Sequence, residues 1–294
     1  MKSEDYILVK QKYWAKSIGL KLLDKHQCKK KDSDKRYTKK LKKNLFLPLD
    51  TEAVDEFRNA DGNELSIVNG ELPNMCAVHS SSALCVNVFM YWKNKDISDL
   101  IDCLGLDKTL INKCSSIHFE RKFKISKKFQ KDPNIDIAIE DSDAVKKEAI
   151  KIIGIECKFS EAYHTKSNKL SPKYLAGLDS LWDGLTNTKE LAKTISPEDK
   201  ESYSYLHPAQ LIKHLLALQN NFGDKGYYLL YLWYDVPGKD GYLHREEINK
   251  FSDYLKKDGV NFHSISYQEL IVNLRNRYYK KHKKYIDYLI NRYL

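Results

Sequence analysis

The sequence has 294 residues, of which 42% are hydrophobic and 31% are charged, a composition typical of a globular protein with a core of its own and not of a disordered chain. The formal net charge of +10 permits a polyanionic partner without requiring one. The six cysteines form no CxxC pair, so the sequence indicates neither a zinc knuckle nor a disulfide framework.

The first 72 residues predict a basic N-terminal extension. The stretch KHQCKKKDSDKRYTKKLKK, residues 25–43, carries ten Lys or Arg residues against two Asp and has almost no apolar pattern. This is typical either of a solvated surface arm or of a segment that contacts phosphates. Residues 45–66 mix short apolar pieces with a turn at Asp61-Gly62 and predict an irregular lead into the core. We find neither a signal peptide nor a membrane span, so we expect a cytoplasmic protein with no membrane partner.

The segment 73–240 has the order helix, three strands, helix, strand. MCAVHSSSALCVNVFMYW predicts a largely buried helix that runs to about Trp92, and DISDLIDCLG predicts a second helix that ends at Gly105. Strands are predicted at 116–125, 134–140 and 150–160. HPAQLIKHLLALQNNFG has helical spacing between Pro208 and Gly223, and KGYYLLYLWYDV is a β-rich run closed by the turn PGKDG.

Residues 241–294 predict a C-terminal helical extension that packs on the same domain. It comprises a helix near 244–257, a short strand at NFHSIS and a last helix from about Tyr267 that is strongly basic between Arg275 and Lys284. Tyrosines alternate with Lys and Arg at helical spacing in this tail. Two interpretations stay open: the cations face DNA phosphates while the tyrosines pack, or the helix is an ordinary amphipathic one with snorkelling lysines.

Two charged residues stand inside the apolar run AIKIIGIECKFSEAY. Alternation of side chains along a strand places Glu156 and Lys158 on one face. The same count puts the three isoleucines of NIDIAI on one face and Asp136 on the other. If the two strands pair as a hairpin with their isoleucines inward, Asp136 meets Glu156 and Lys158.

Two carboxylates and an ammonium group at one place are costly unless they are solvated, paired or coordinating a cation, and Mg²⁺ prefers such oxygen ligands. We therefore expect Asp136 and Glu156 to hold Mg²⁺, with the backbone carbonyl of Cys157 as a further ligand. Lys158 would orient or deprotonate the attacking water and offset charge at phosphorus.

The tripeptide E-x-K is a weak signal by itself. It occurs at Glu120-Lys122, Glu156-Lys158 and Glu198-Lys200. The second occurrence alone combines an apolar strand, an upstream strand with an acid and a following amphipathic helix. A surface ion pair on an edge strand is the alternative to a catalytic role.

These motifs resemble the PD-(D/E)XK nuclease superfamily, and HSSSALCVNVF, HFERKF, PNIDIAI, IECKFSE and HPAQLIKHLLAL together resemble a branch of bacterial restriction endonucleases within it. The resemblance covers about residues 75–236. It implies an α/β (α+β) restriction-endonuclease-like core, a mixed central β-sheet flanked by helices, to which the terminal segments add further helices. It also implies Mg²⁺-dependent DNA hydrolysis, with Mn²⁺ able to substitute, that leaves 5′-phosphate and 3′-hydroxyl ends.

Residue by residue, Asp136, Glu156 and Lys158 match the catalytic triplet of the superfamily. Gln210 matches a glutamine often found at the start of the helix after the third strand, although a solvent-facing first turn would also explain it. Glu120 matches an acid on the first strand, as catalytic residue and metal ligand, and an ion pair with Lys122 is the alternative.

The sequence also departs from the superfamily pattern. Asn134 stands where the named motif has its Asp after Pro133, and the first helix lacks a glutamate that many members use, with Glu71 just before it. One-metal and two-metal catalysis both stay open.

The leading hypothesis is a Mg²⁺-dependent endonuclease of restriction and defence type that acts on double-stranded DNA. The sequence does not separate DNA from RNA, and it leaves a homodimer open. The alternatives are a DNA repair nuclease, a nucleic-acid-binding module that keeps the fold without cutting, and a structural protein. The absence of GxxxxGK[ST] and HExxH motifs argues against an ATP-driven translocase and a zinc hydrolase.

Overall fold

The computed structural model describes residues 2–25, 35–62, 64–141, 149–163, 169–176, 179–195 and 203–294. The helices in these ranges are α1 (Ser3–Ser17), α2 (Thr51–Asn59), α3 (Ser81–Phe89), α4 (Ser98–Cys103), α5 (Thr186–Thr194), α6 (Pro208–Phe222), α7 (Lys239–Lys257) and α8 (Tyr267–Tyr293). The strands are β1 (Leu22–Leu23), β2 (Tyr37–Thr38), β3 (Ser116–Lys122), β4 (Asn134–Glu140), β5 (Ile152–Lys158), β6 (Tyr227–Trp233) and β7 (Phe262–Ser266). None of the described helices has the length and hydrophobicity needed to cross a membrane.

The central sheet has five strands in the order β3-β4-β5-β6-β7. The β3, β4 and β5 strands pair antiparallel, whereas β5, β6 and β7 pair parallel. The end of β3, the start of β4 and the end of β5 therefore meet at one edge, which we call the upper edge and which Lys122, Asn134 and Lys158 mark. Because α6 leads into the start of β6, its own N-terminus points back to the upper edge.

Helices cover both faces of the sheet. One face carries Ile137, Ile153 and Ile155 and packs against α3 and α8. The other face packs against α5, α6 and α7. Gly154 lies under α6, and a Cβ atom built there would come within 2.9 Å of Leu218 Cδ1. The missing side chain at this position therefore lets α6 approach the sheet closely.

The predicted order of helix, three strands, helix and strand is confirmed, with α5 as an additional helix before α6 that was not predicted. Several boundaries shift. The predicted strand 134–140 coincides with β4, while β3 and β5 are shorter than predicted. The helix expected in MCAVHSSSALCVNVFMYW begins only at Ser81, because the Ser80 hydroxyl accepts a hydrogen bond from Ala83 N (3.1 Å) and caps the helix there. The prediction of PGKDG as a turn is wrong in its second half: Gly238 turns with φ +87°, and α7 begins at Lys239.

The prediction that residues 45–66 are irregular is wrong. They contain α2, which the Asp50 carboxylate caps by accepting a hydrogen bond from Ala53 N (2.8 Å). Ala53 and Phe57 of this helix are buried in the core. Two features named above fall outside the described residues: 26–34 of the basic stretch and the Glu198-Lys200 pair.

The terminal segments reach into the main core. Ile7 of α1 and Tyr293 of α8 belong to the same buried cluster as Phe89 of α3. The Arg292 side chain donates hydrogen bonds to Gln11 Oε1 (3.0 Å) and to Asn44 Oδ1 (2.7 Å). The boundaries at 73 and 240 stay a prediction.

Candidate active site at the upper edge of the sheet

Glu156 is a buried carboxylate that faces two nitrogen atoms. Its side chain is 1% exposed, and Lys158 Nζ lies 2.6 Å from Oε1 while His214 Nε2 lies 2.8 Å from Oε2. Neither carboxylate oxygen makes a well-directed hydrogen bond in the described structure. The contacts of Glu156 are therefore primarily electrostatic. The E-x-K motif did not indicate that His214 of α6 would be its neighbour.

The Glu156–Lys158 pair is held in its charged form. Burial alone would raise the pKa of Glu156, but the Lys158 ammonium and His214 outweigh burial and hold this pKa at about 2. Burial alone would lower the pKa of Lys158, but the carboxylates of Glu156, Glu161 and Asp136 outweigh it and raise the pKa above its ordinary value. Lys158 is therefore an ammonium group at neutral pH.

Asp136 lies at the start of β4, beside the end of β5. Its Oδ2 atom accepts a hydrogen bond from Cys157 N at 2.7 Å. Burial raises the pKa of Asp136 well above its ordinary value, and the nearby Glu156 charge raises it further. Asp136 contacts the E-x-K strand, as predicted. The contact is with the backbone N–H of Cys157, the residue between Glu156 and Lys158.

The alternation of side chains along β4 breaks at Asp136. Ile137 packs on the α3 side of the sheet, as predicted, but Ile135 packs on the α6 side, where its Cδ1 would lie 3.3 Å from a Cβ built on Gly154. The prediction of one shared face for the three isoleucines is therefore wrong at Ile135. Opposite the break, Glu120 of β3 has φ +52°, a left-handed conformation that is rare for a non-glycine residue.

Glu120 is largely buried at the same edge. Burial, followed by the charges of Glu64 and Glu156, raises its pKa to about 7. The alternative of an ion pair between Glu120 and Lys122 is not observed, because Lys122 Nζ lies 2.9 Å from Asp61 Oδ1. Glu120 thus belongs to a group of acids that raise each other's pKa.

A cavity of about 560 Å³ opens beside Glu120, Asp136 and Lys158, and Glu156 is not among its lining residues. The charged residues in its lining are Glu64, Glu120, Asp136, Lys158 and Glu161. We call it the acidic cavity. Glu64 and Glu161 were missed in the sequence. Glu64 lies in an irregular segment, and Glu161 ends the IECKFSE motif but was given no role there. Glu71 pairs instead with Lys25 at 2.8 Å and does not line this cavity.

The donor set of the acidic cavity fits a hard divalent cation. It consists of carboxylates and the Cys157 carbonyl, which lies 3.4 Å from Ser81 Oγ, and oxygen atoms of this kind are what Mg²⁺ prefers. Buried Glu64 Oε2 makes no hydrogen bond within the described residues. Within those residues, no three of these acids have ligand atoms that all lie within 4.8 Å of one another.

A separate group of potential ligands lies away from this edge, at Glu52, Glu56 and His118. His118 Nδ1 lies 2.8 Å from Glu56 Oε1, and the hydrogen bond with Glu56 raises the His118 pKa. Lys93 Nζ lies 2.9 Å from Glu52 Oε2. The group is an ion-pair network that fastens α2 to β3.

A family model described as "Restriction Endonuclease associating with ARP" matches residues 9–294. The chain belongs to this restriction-endonuclease family. Comparison with curated proteins and with solved structures finds no match. The mixed five-stranded sheet with helices on both faces is a restriction-endonuclease-like fold, and membership supports a nuclease role.

In this restriction-endonuclease family member, Gln210 lies one turn before His214 on α6. It is half-buried and lines a second cavity, of about 480 Å³, together with His214. It does not line the acidic cavity. A direct role for Gln210 stays a prediction.

The basic tail of the restriction-endonuclease chain makes ion pairs within the protein. Arg277 Nη1 lies 3.0 Å from Asp102, Lys281 Nζ lies 2.6 Å from Asp99, and Lys283 Nζ lies 2.6 Å from Asp287. Tyr285 and Tyr293 of the same helix are buried. These contacts favour the interpretation of α8 as an ordinary amphipathic helix.

Proposed function

We propose that the protein is a Mg²⁺-dependent endonuclease of the PD-(D/E)XK type that hydrolyses phosphodiester bonds of double-stranded DNA in restriction and defence. The observation that carries the proposal is the buried Glu156–Lys158 pair at the end of β5, beside Asp136 at the start of β4. Membership of a restriction-endonuclease family supports it.

Asp136, Glu156, Glu120 and the Cys157 carbonyl would hold the cation, and Mn²⁺ would replace Mg²⁺. The bound ion would polarise a phosphoryl oxygen and lower the pKa of a bound water. Glu64 lines the same cavity and offers a further carboxylate.

Lys158 contributes charge to the reaction. Because the carboxylates around it raise its pKa, it stays protonated at neutral pH and donates hydrogen bonds. An ammonium group in this place orients the attacking water and offsets negative charge that develops at phosphorus. Removal of a proton from water by Lys158 is not part of the proposal.

The test is cleavage of supercoiled and linear DNA of varied methylation by the purified protein, with Mg²⁺, Mn²⁺ or EDTA. Asp136→Asn removes a carboxylate ligand with little change in shape, and we expect it to abolish cutting. Glu140→Gln, on the same strand and paired with Arg121 outside the acidic cavity, is the matched control and should keep full activity.

A second readout separates cation binding from catalysis. Mn²⁺ binding, followed by electron paramagnetic resonance, should weaken in Asp136→Asn and persist in Glu140→Gln. DNA binding without cutting in every metal would reject the nuclease and favour a binding module. Cutting that survives Asp136→Asn would reject the assigned site.

A further inference from the structure

The second cavity opens beside the acidic cavity, at the N-terminal end of α6. Two of its lining residues also touch the candidate active site. His214 Nε2 contacts Glu156 at 2.8 Å, and the Asn134 side chain hydrogen-bonds to Glu120. Both cavities therefore border the candidate active site.

The second cavity has the opposite charge to the first. Lys131, Lys173 and Lys213 line it, and in the described part of the chain no carboxylate lies within ion-pair distance of any of them. Its lining carboxylates are Asp61 and Asp132. Asp61 is already neutralised by Lys122 at 2.9 Å. The cavity thus carries a positive charge that the protein itself does not balance, and we call it the basic cavity.

Burial in the basic cavity destabilises the charged form of Lys213. Lys213 is half-buried on α6, and burial lowers the pKa of its ammonium group by more than the charge of Glu156 raises it, because removing a cation from water is unfavourable. An anion bound in the basic cavity would relieve this cost.

Lys173 is held in place before any ligand arrives. Its Nζ lies 5.6 Å from the centre of the Phe129 ring and 5.5 Å from that of the Tyr174 ring. The two rings stack with centroids 4.5 Å apart. A lysine fixed against an aromatic pair loses less conformational freedom on binding an anion.

The N-terminus of α6 points to the same place. No side chain caps this helix of 15 residues, so its partial positive charge adds to that of the lysines. His214, in the second turn, is 1% exposed, and its Nδ1 atom makes no hydrogen bond within the described residues. The lysines, the uncapped helix and this buried imidazole all converge on one cavity.

We propose that the basic cavity binds a backbone phosphate of the DNA, beside the scissile phosphodiester group. The inference rests on the proposed function, since it gives the DNA strand a path across the upper edge. The acidic cavity would take the cation and the scissile phosphate, while the basic cavity fixes the strand beside it. Phosphate contacts of this kind position a nucleic acid without reading its sequence.

The experiment measures the affinity for a short duplex of fixed length in EDTA, where no cutting occurs, as a function of salt. Lys213→Gln and Lys173→Gln are each expected to weaken binding about 10-fold, as the loss of one charge-assisted hydrogen bond would. Each should also reduce the slope of log affinity against log salt by about 1. Lys256→Gln, at the exposed end of α7, is the control and should change neither quantity.

Mn²⁺ binding separates this proposal from the proposed function. It should be unchanged in Lys213→Gln and Lys173→Gln and weakened in Asp136→Asn. A protein that cuts nothing, yet loses salt-dependent binding in both lysine variants, would refute the nuclease and keep the basic cavity. Unchanged affinity and slope in both folded lysine variants, or no DNA binding by the wild type, would overturn the present proposal.

Discussion

Glu156 depends on the two nitrogen atoms that it faces. Its carboxylate is 1% exposed and stays ionised because Lys158 and His214 lie within 2.8 Å. A bound cation would have to draw Glu156 away from these neighbours or share it with them. When no metal ion is bound, the Lys158 ammonium group thus supplies the positive charge nearest to Glu156.

This dependence predicts a stability effect at Lys158. Lys158→Met leaves the Glu156 charge buried without its closest partner, and we expect the free energy of unfolding at pH 7 to fall by about 3 kcal/mol. The loss should shrink as the pH falls from 4.5, the ordinary pKa of a glutamate, towards about 2, the pKa of Glu156 in the folded protein. Urea unfolding at several pH values measures it.

The double variant Lys158→Met/Glu156→Gln is the control, because it removes both charges and should recover part of the lost stability. No recovery would mean that the charge of Glu156 is not the cause. A Lys158 variant alone is therefore a poor test of catalysis, because it also changes stability. Asp136→Asn leaves the Glu156–Lys158 pair intact.

Glu120 predicts the opposite pH dependence. Its pKa rises from 4.5 to about 7 on folding, so its ionisation destabilises the folded state increasingly between these pH values and fully above them. In EDTA, Glu120→Gln should raise the free energy of unfolding at pH 8 by up to roughly 3 kcal/mol and change it little at pH 4.5 or below. Glu140→Gln, measured alongside, should show no such gain. Equal effects at both pH values would contradict a raised Glu120 pKa.

At the residue scale, the sequence predicts those site residues whose position follows from the alternation of side chains along a strand. Glu156 and Lys158 could be found because strand alternation and an apolar context mark them. His214 is a regular position of a helix, and Glu64 belongs to an irregular segment, so neither carries a local signal. They reach Glu156 and the acidic cavity only through tertiary packing.

At the scale of elements, the sequence predicts the type and order better than the ends. The hydrophobic pattern marks α6 and β4 almost to the residue, because Pro208 and Gly223 bound the helix and a clean alternation marks most of the strand. The start of α3 depends on a hydrogen bond of Ser80, and the start of α7 on the backbone of Gly238. Each of these starts depends on one hydrogen bond or one backbone conformation, which hydrophobicity averaged over a segment does not reveal.

The start of α7 gives a prediction at this scale. A Cβ at Gly241 would lie 1.9 Å from the carbonyl oxygen of Val236, which is backbone and cannot move without unwinding the turn before the helix. Gly241→Ala should therefore lower the free energy of unfolding by about 2 kcal/mol or more, measured by urea denaturation. At Gly62 a Cβ meets nothing closer than 3.5 Å, so Gly62→Ala should have a small effect. Equal losses in the two variants would contradict the steric argument.

At the scale of the whole molecule, Arg292 connects segments that are far apart in the chain. Its guanidinium group is 2% exposed and donates to Gln11 Oε1 at 3.0 Å, to Asn44 O at 2.6 Å and to Val78 O at 3.2 Å. It also lies 4.0 Å from the centre of the Trp14 ring. Neutral acceptors and an aromatic ring thus accommodate this buried cation.

Arg292→Met should leave several of these buried acceptors without a donor. We expect the free energy of unfolding to fall by about 3 kcal/mol, measured by chemical denaturation. Arg275→Met, on the exposed face of the same helix, should change it by less than about 0.5 kcal/mol. A small effect at Arg292 would show that its hydrogen bonds are replaced by water. The sequence gives no hint of this network, because its members are separated by hundreds of residues.

The Arg292 network also bears on how the protein is made. The N-terminal residues of a growing chain are synthesised first. Gln11, Asn44 and Val78 are therefore translated well before Arg292, which donates hydrogen bonds to them in the folded protein. The helix that carries Arg292 also covers the α3 face of the sheet. The buried hydrogen bonds that join Gln11, Asn44 and Val78 to Arg292 therefore form only after this arginine has been translated.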